Sequence, residues 1–146
     1  VARDASAYVE FLQGADGVRA GKLGVVGVCF SGGIALRIAA ARSDVIAAAA
    51  SFHGGGLFSE SPNSPHRVLP QVKARLYFGH ASNDRSMPDA AIAGLEQALR
   101  DWGGRFTSVV YPASHGWTMS DASVYDPTQA ERAFEALEHL LADELG

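Results

Sequence analysis

The sequence predicts an α/β protein, a parallel sheet layered by helices, and three observations carry that prediction. Four short apolar runs alternate with segments of helical periodicity, which is the pattern of strand–helix–strand crossovers. The first run passes through Gly27-Val28-Cys29-Phe30-Ser31-Gly32 straight into a good helix former, Ile34 to Ala41. That is a strand, a sharp turn and a helix, an elbow that forces its apex residue out over the end of the sheet. Finally, the chemically able side chains follow strand ends, and in a parallel sheet those ends share one edge.

In chain order, Ala5, Tyr8, Val9 and Leu12 recur at helical spacing within Asp4 to Gln13, and Gly14 with Gly17 closes that amphipathic helix. The valine-rich run from Leu23 is the first strand. Its apex, Cys29, is the only cysteine. A thiol at a helix N-terminus feels the positive end of the helix dipole, which favours the thiolate. A buried strand end has no need of Gly27, Gly32 and Gly33 around it, so the alternative of a small buried hydrophobe fits less well. Ser31 stands where the common elbow has glycine. Val45 to Phe52 reads as the second strand, although its four alanines leave a helix open.

His53-Gly54-Gly55-Gly56-Leu57 spells the oxyanion-hole motif of many lipases and esterases, but there the motif precedes the nucleophile. Here it follows Cys29 and reads as a flexible turn that lines a pocket. Ser59 to Pro70, with three prolines, is expected to be an irregular surface loop and the place for a lid or rim. Ala74 to Gly79 is the third strand, and His80 to Ser86 the polar loop beyond it. Ser86-x-x-Asp89 with Pro88 starts a helix whose Ile92, Leu95, Leu99 and Trp102 share one face; Gly103-Gly104 ends it. Phe106 to Tyr111 is the fourth strand and leads into Ser114-His115-Gly116-Trp117. Asp126-Pro127 opens the last helix, with Ala130, Phe134, Leu137 and Leu141 as its expected buried stripe.

Composition narrows the function classes. A chain of 146 residues suits a single domain over 1–146. A net charge of −4 offers no basic footprint, so nucleic acid is not an expected partner. The longest apolar run, Val45 to Ala50, is far too short to span a bilayer. One cysteine allows no internal disulfide and suits a reducing compartment, and no secretory leader is read at Val1, so the expected location is the cytoplasm.

Cys29, Asp84 and His115 follow the first, third and fourth strands, in the order nucleophile, acid, histidine of the α/β-hydrolases. The chemistry asks for such a set. An imidazole within hydrogen-bond reach takes the thiol proton, and a carboxylate behind it fixes the ring's tautomer and stabilises its charged form. Singly, Asp84 also reads as a turn or capping residue and His115 as a polar loop residue. A metal centre from His80, Asp84 and His115 lacks compact ligand spacing, so no metal or cofactor is expected. His139, four residues from Glu135 and Asp143, reads as part of a solvated helix face, His66 belongs to the proline loop, and His53 and His80 follow strands and are candidates to line the site.

These residues resemble the dienelactone hydrolases, α/β-hydrolases with a Cys-His-Asp triad. The resemblance rests on Leu23 to Gly33, on Gly-His-Ala-Ser-Asn-Asp-Arg-Ser-Met-Pro at Gly79 to Pro88, on Ser114 to Trp117, and on Tyr125-Asp126-Pro127 with Ala130-Glu131-Arg132-Ala133. It implies a sheet with helices on both faces, Cys29 as nucleophile, Asp84 as acid, His115 as base and the Phe30 backbone N–H as an oxyanion donor. It also implies a small ester or lactone as substrate. Met119 stands where the best-known members carry an arginine for a substrate carboxylate. Val1 corresponds to a point inside the family's chain, so the N-terminal strands and a second oxyanion donor are expected to be absent. A bare sheet edge would then be covered by a second copy or by a complementing N-terminal half. The rival expectation is a catalytically silent partial hydrolase module used for association.

Overall fold

The computed structural model describes residues 2–19 and 21–146; Val1, where the sequence begins, lies outside them. The chain runs α1 (Ala2–Gly14), β1 (Leu23–Val28), α2 (Ser31–Ala41), β2 (Ile46–Phe52), a 3-10 segment (Pro65–Gln71), β3 (Arg75–Ala81), α3 (Asp89–Trp102), β4 (Phe106–Tyr111) and α4 (Pro127–Leu145). The strands pair in parallel in the order β1-β2-β3-β4. Because every crossover steps the same way across the sheet, right-handed connections put α2, the 3-10 segment and α3 on one face. Helix α4 alone packs on the other, against β2, β3 and β1.

Two cores follow from that layering. Leu36, Ala39, Ile46, Ala49, Leu76, Phe78, Leu95 and Leu99 fill the first, under α2 and α3. Ala48, Ala50, Phe52, Tyr77, Tyr111, Trp117, Ala133 and Leu140 fill the second, under α4. The alanines that left β2 open to a helical reading form a central strand buried on both faces, where small side chains let the helices approach.

Several expectations need correction. His80 and Ala81 belong to β3, not to the following loop, because they pair with Val110 and Tyr111. Ser59 to Pro70 is not wholly irregular: Leu69 and Val72 are buried, and they anchor a 3-10 segment against α2 and α3. Helix α3 is not capped by Ser86; Pro88 holds the cap position without a side-chain bond, and the Ser86 hydroxyl turns to Asp84. In α4 the buried residues are Ala133 and Leu140, while Phe134 is 55% exposed and lines an open groove with Val26 and Val28 of β1, the outermost strand among the described residues. In α1 only Ala5 and Val9 of the expected stripe are buried; Tyr8 and Leu12 face outward.

Candidate active site

The elbow is built by sterics. Cys29 has φ 54°, in the left-handed region, which a residue with a Cβ adopts only when its surroundings over-determine it. They do so here. A Cβ on Gly27 would lie 2.2 Å from the Ser31 carbonyl oxygen, and one on Gly32 would lie 2.1 Å from Ser51 Oγ. Ser31, in the usual glycine's place, fits as the first residue of α2. Its hydroxyl accepts from the Val28 N–H at 2.8 Å and donates to the Val28 carbonyl at 2.6 Å, tying helix to strand. Phe30 is the helix N-cap (φ −58°, ψ −25°) and is 75% exposed, so its N–H belongs to the end of the helix where donors lack carbonyl partners.

The three side chains singled out from strand ends lie together. His115 Nε2 is 3.2 Å from Cys29 Sγ. On the other side of the ring, His115 Nδ1 donates to Asp84 Oδ2 at 2.5 Å. The second oxygen, Asp84 Oδ1, accepts from the Ser86 N–H at 2.8 Å and from the Ser86 hydroxyl at 2.5 Å. Burial works to raise the Asp84 pKa, but Ser86 and His115 outweigh it and hold the carboxyl below its usual range. The Asp84 side chain is buried, whereas His115 keeps about a third of its side-chain surface open to solvent.

Two further neighbours join them, and a reading of the sequence alone points to only one. The one it misses is Ser86. The other is His53, the first residue after β2, which is buried beside the pair. The signal for His53 was its place, immediately after a strand end as Cys29 is. His80 is also fully buried, but its two ring nitrogens have no hydrogen-bond partner and its ring lies parallel to Phe78, on the face under α2 and α3. His139 is exposed, and His66 bonds to Ser64 and packs on Phe58. Among the described residues no group of three His, Cys, Asp or Glu side chains is arranged to hold a metal ion, and no helix is long and apolar enough to cross a membrane.

A groove of about 380 Å³ opens beside the elbow, lined by Val26, Val28, Phe52, Met119, Tyr125 and Phe134 among others. It is mostly apolar, and two of its walls come from β1, the strand that has no further neighbour on its outer side among the described residues.

Comparison with known proteins agrees with this architecture. The model of the dienelactone hydrolase family matches residues 1–145. A Synechocystis protein named "Putative carboxymethylenebutenolidase" is 27% identical over 146 residues, covering 97% of this chain and 58% of its own length. One of the same name from Methylorubrum extorquens is 27% identical over 142 residues, covering 94% of this chain and 48% of its own length. The chain thus spans about half the length of these curated relatives. Among solved structures, the dienelactone hydrolase-like promiscuous phosphotriesterase P91 from metagenomic libraries superposes with TM-score 0.83 at 22% identity, over 98% of this chain and 61% of that one. A dienelactone hydrolase from Anabaena variabilis gives 0.71 at 24% identity, over 96% and 59%. At such identities the structural matches speak for the fold.

Proposed function

Because this chain belongs to the dienelactone hydrolase family, we propose that it is the nucleophile-bearing part of a hydrolase that cleaves an ester or lactone through Cys29, His115 and Asp84. The observation that carries the reading is the continuous line from Asp84 Oδ2 through both nitrogens of His115 to Cys29 Sγ, with contacts of 2.5 and 3.2 Å.

In this scheme His115 Nε2 takes the thiol proton and the sulfur attacks the carbonyl carbon. The carbonyl oxygen becomes an oxyanion, which the Phe30 N–H helps to hold. The C–O bond then breaks, and His115 returns the proton to the leaving alkoxide. A water that gives its proton to His115 attacks the thioester, releasing the acid and the free thiol. Asp84 keeps the Nδ1 proton throughout, fixing the ring and stabilising its charged form. Met119, 43% exposed on the groove, offers no charge to a substrate carboxylate, which favours an uncharged ester. A lone thiol suits the reducing cytoplasm.

Hydrolysis of a p-nitrophenyl ester by wild type and Cys29→Ala tests the proposal. The variant is expected to lose more than about a thousandfold in kcat; equal rates would refute the assignment. The outer edge of β1, which pairs with no strand among the described residues, and the half-length match favour one other reading, a silent module that acts only by association. Iodoacetamide separates the two. An activated Cys29 is alkylated below neutral pH, while a silent one reacts only in alkaline solution.

A further inference from the structure

The reaction scheme gives His53 no part, yet it is 1% exposed and its ring meets both the elbow and the loop that bears His115. Its backbone is held at φ 40°, and its N–H donates to the Gly79 carbonyl of β3 at 2.7 Å. The Cys29 N–H donates to His53 Nδ1 at 3.2 Å, and also to the Phe52 carbonyl at 3.1 Å. A nitrogen that accepts from an N–H carries no proton, so the ring is the Nε2–H tautomer. Nε2 then donates to Thr118 Oγ1 at 2.8 Å, three residues beyond His115. The ring also stands edge-on to His115 and to Trp117, each 5.0 Å away.

We propose that His53 is a positioning residue, a neutral imidazole that locks the nucleophile elbow to the loop bearing His115 and so sets the sulfur–imidazole distance. This rests on the triad reading above and adds to it the part that fixes its geometry. Elbow and loop come from opposite ends of the sheet, β1 and β4, and no strand pairing joins them directly. The titratable side chains acting on His53 are His115, in ring contact, and Asp84, through its charge. Neutrality matters because His115 becomes a cation in the reaction, and a second cation at 5.0 Å would oppose that charge. Burial, with His115 adding to it, pushes the His53 pKa down to about 4, so the ring stays neutral under working conditions.

The test uses the full chain, with His53→Ala, His53→Asn and Thr118→Val. Asparagine places an amide oxygen near the Nδ1 position but is too short to reach Thr118. Thr118→Val cuts the far bond and leaves His53 in place. The readouts are the pH profile of Cys29 alkylation, kcat and KM on the p-nitrophenyl ester, and the His53 tautomer by 15N–1H NMR. Expected in His53→Ala are an alkylation profile moved to higher pH and a kcat loss on the order of a hundredfold, with KM little changed, as for a misplaced reacting group. His53→Asn recovers part of the loss, Thr118→Val shows the same shift in smaller degree, and the wild-type ring shows Nε2–H.

An unmoved alkylation profile in folded His53→Ala overturns the proposal. Should that variant not fold, an unmoved profile in Thr118→Val does the same, as does an Nδ1–H tautomer in the wild type. His115→Ala tells this failure from that of the triad. If His115→Ala leaves the profile unchanged, the triad falls and the tie loses its catalytic purpose. If His115→Ala shifts the profile and the His53 and Thr118 variants do not, the triad stands and the tie alone is refuted.

Discussion

Single side chains in this molecule titrate far from their ordinary values because of where they are buried. His53 and His80 are both pushed down from 6.5 to about 4, chiefly by burial. Their unfolded rings bind protons below about pH 6.5 while the folded rings do not. Stability therefore falls as pH drops from 6.5 towards 4, by up to about 1.4 kcal/mol per pH unit for each ring. Urea midpoints at pH 7 and 4.5 check this, and His80→Phe is expected to flatten the slope. Asp84 contributes in a lower window: its stabilisation is complete above the unfolded carboxyl value and disappears as pH falls through the folded one. Ser86→Ala removes one bond to Asp84 Oδ1, so acid unfolding should begin at higher pH, with a loss of about 1 kcal/mol near neutrality. The meeting of Cys29, Asp84 and His115 was legible because each follows a strand end on one edge. His53 was legible as a residue lining the site from its place after β2, but its bond to the elbow was not, because it depends on a left-handed backbone turn; Ser86 was missed because its hydroxyl had an equally good local use as a helix cap.

Among the elements, the elbow tolerates least change. A methyl group on Gly27 meets backbone, the Ser31 carbonyl oxygen at 2.2 Å, which no side-chain rotation relieves. Gly27→Ala should cost about 1–3 kcal/mol or more and displace the Cys29 sulfur from His115. Thermal unfolding would report the first and, under the proposed triad, loss of alkylation below neutral pH the second; wild-type values for both would mean that the elbow has room for a methyl group. Strands and helices were legible from periodicity, β2 least so, because alanine runs serve either state until neighbours on both sides are known. Amphipathic stripes misled where the sheet stops. Phe134 has the spacing of a core residue but faces the open groove beside β1, and the edge of a sheet is not written into a single helix.

Across the whole molecule, the sheet is protected unevenly. One face carries α2, the 3-10 segment and α3, while among the described residues the other has α4 as its single helix. At the β1 end of that second face Val26 is 43% and Phe134 55% exposed, beside a strand whose outer edge pairs with nothing among the described residues. Exposed apolar surface next to a free strand edge drives association. The 15.3 kDa chain should elute from gel filtration above its monomer mass and bind an apolar dye, and Val26→Lys should reduce both. Elution at monomer mass without dye binding would show the edge to be harmless.

The contact between Cys29 and His115 bridges 86 residues of sequence. During synthesis Cys29 therefore emerges long before His115, and a ribosome-stalled chain ending ahead of β4 would display the sulfur without its imidazole neighbour. If the proposed triad operates, timed labelling of such nascent chains should show alkylation quickening only once the loop after β4 has docked, a built-in chemical clock for completion of the sheet.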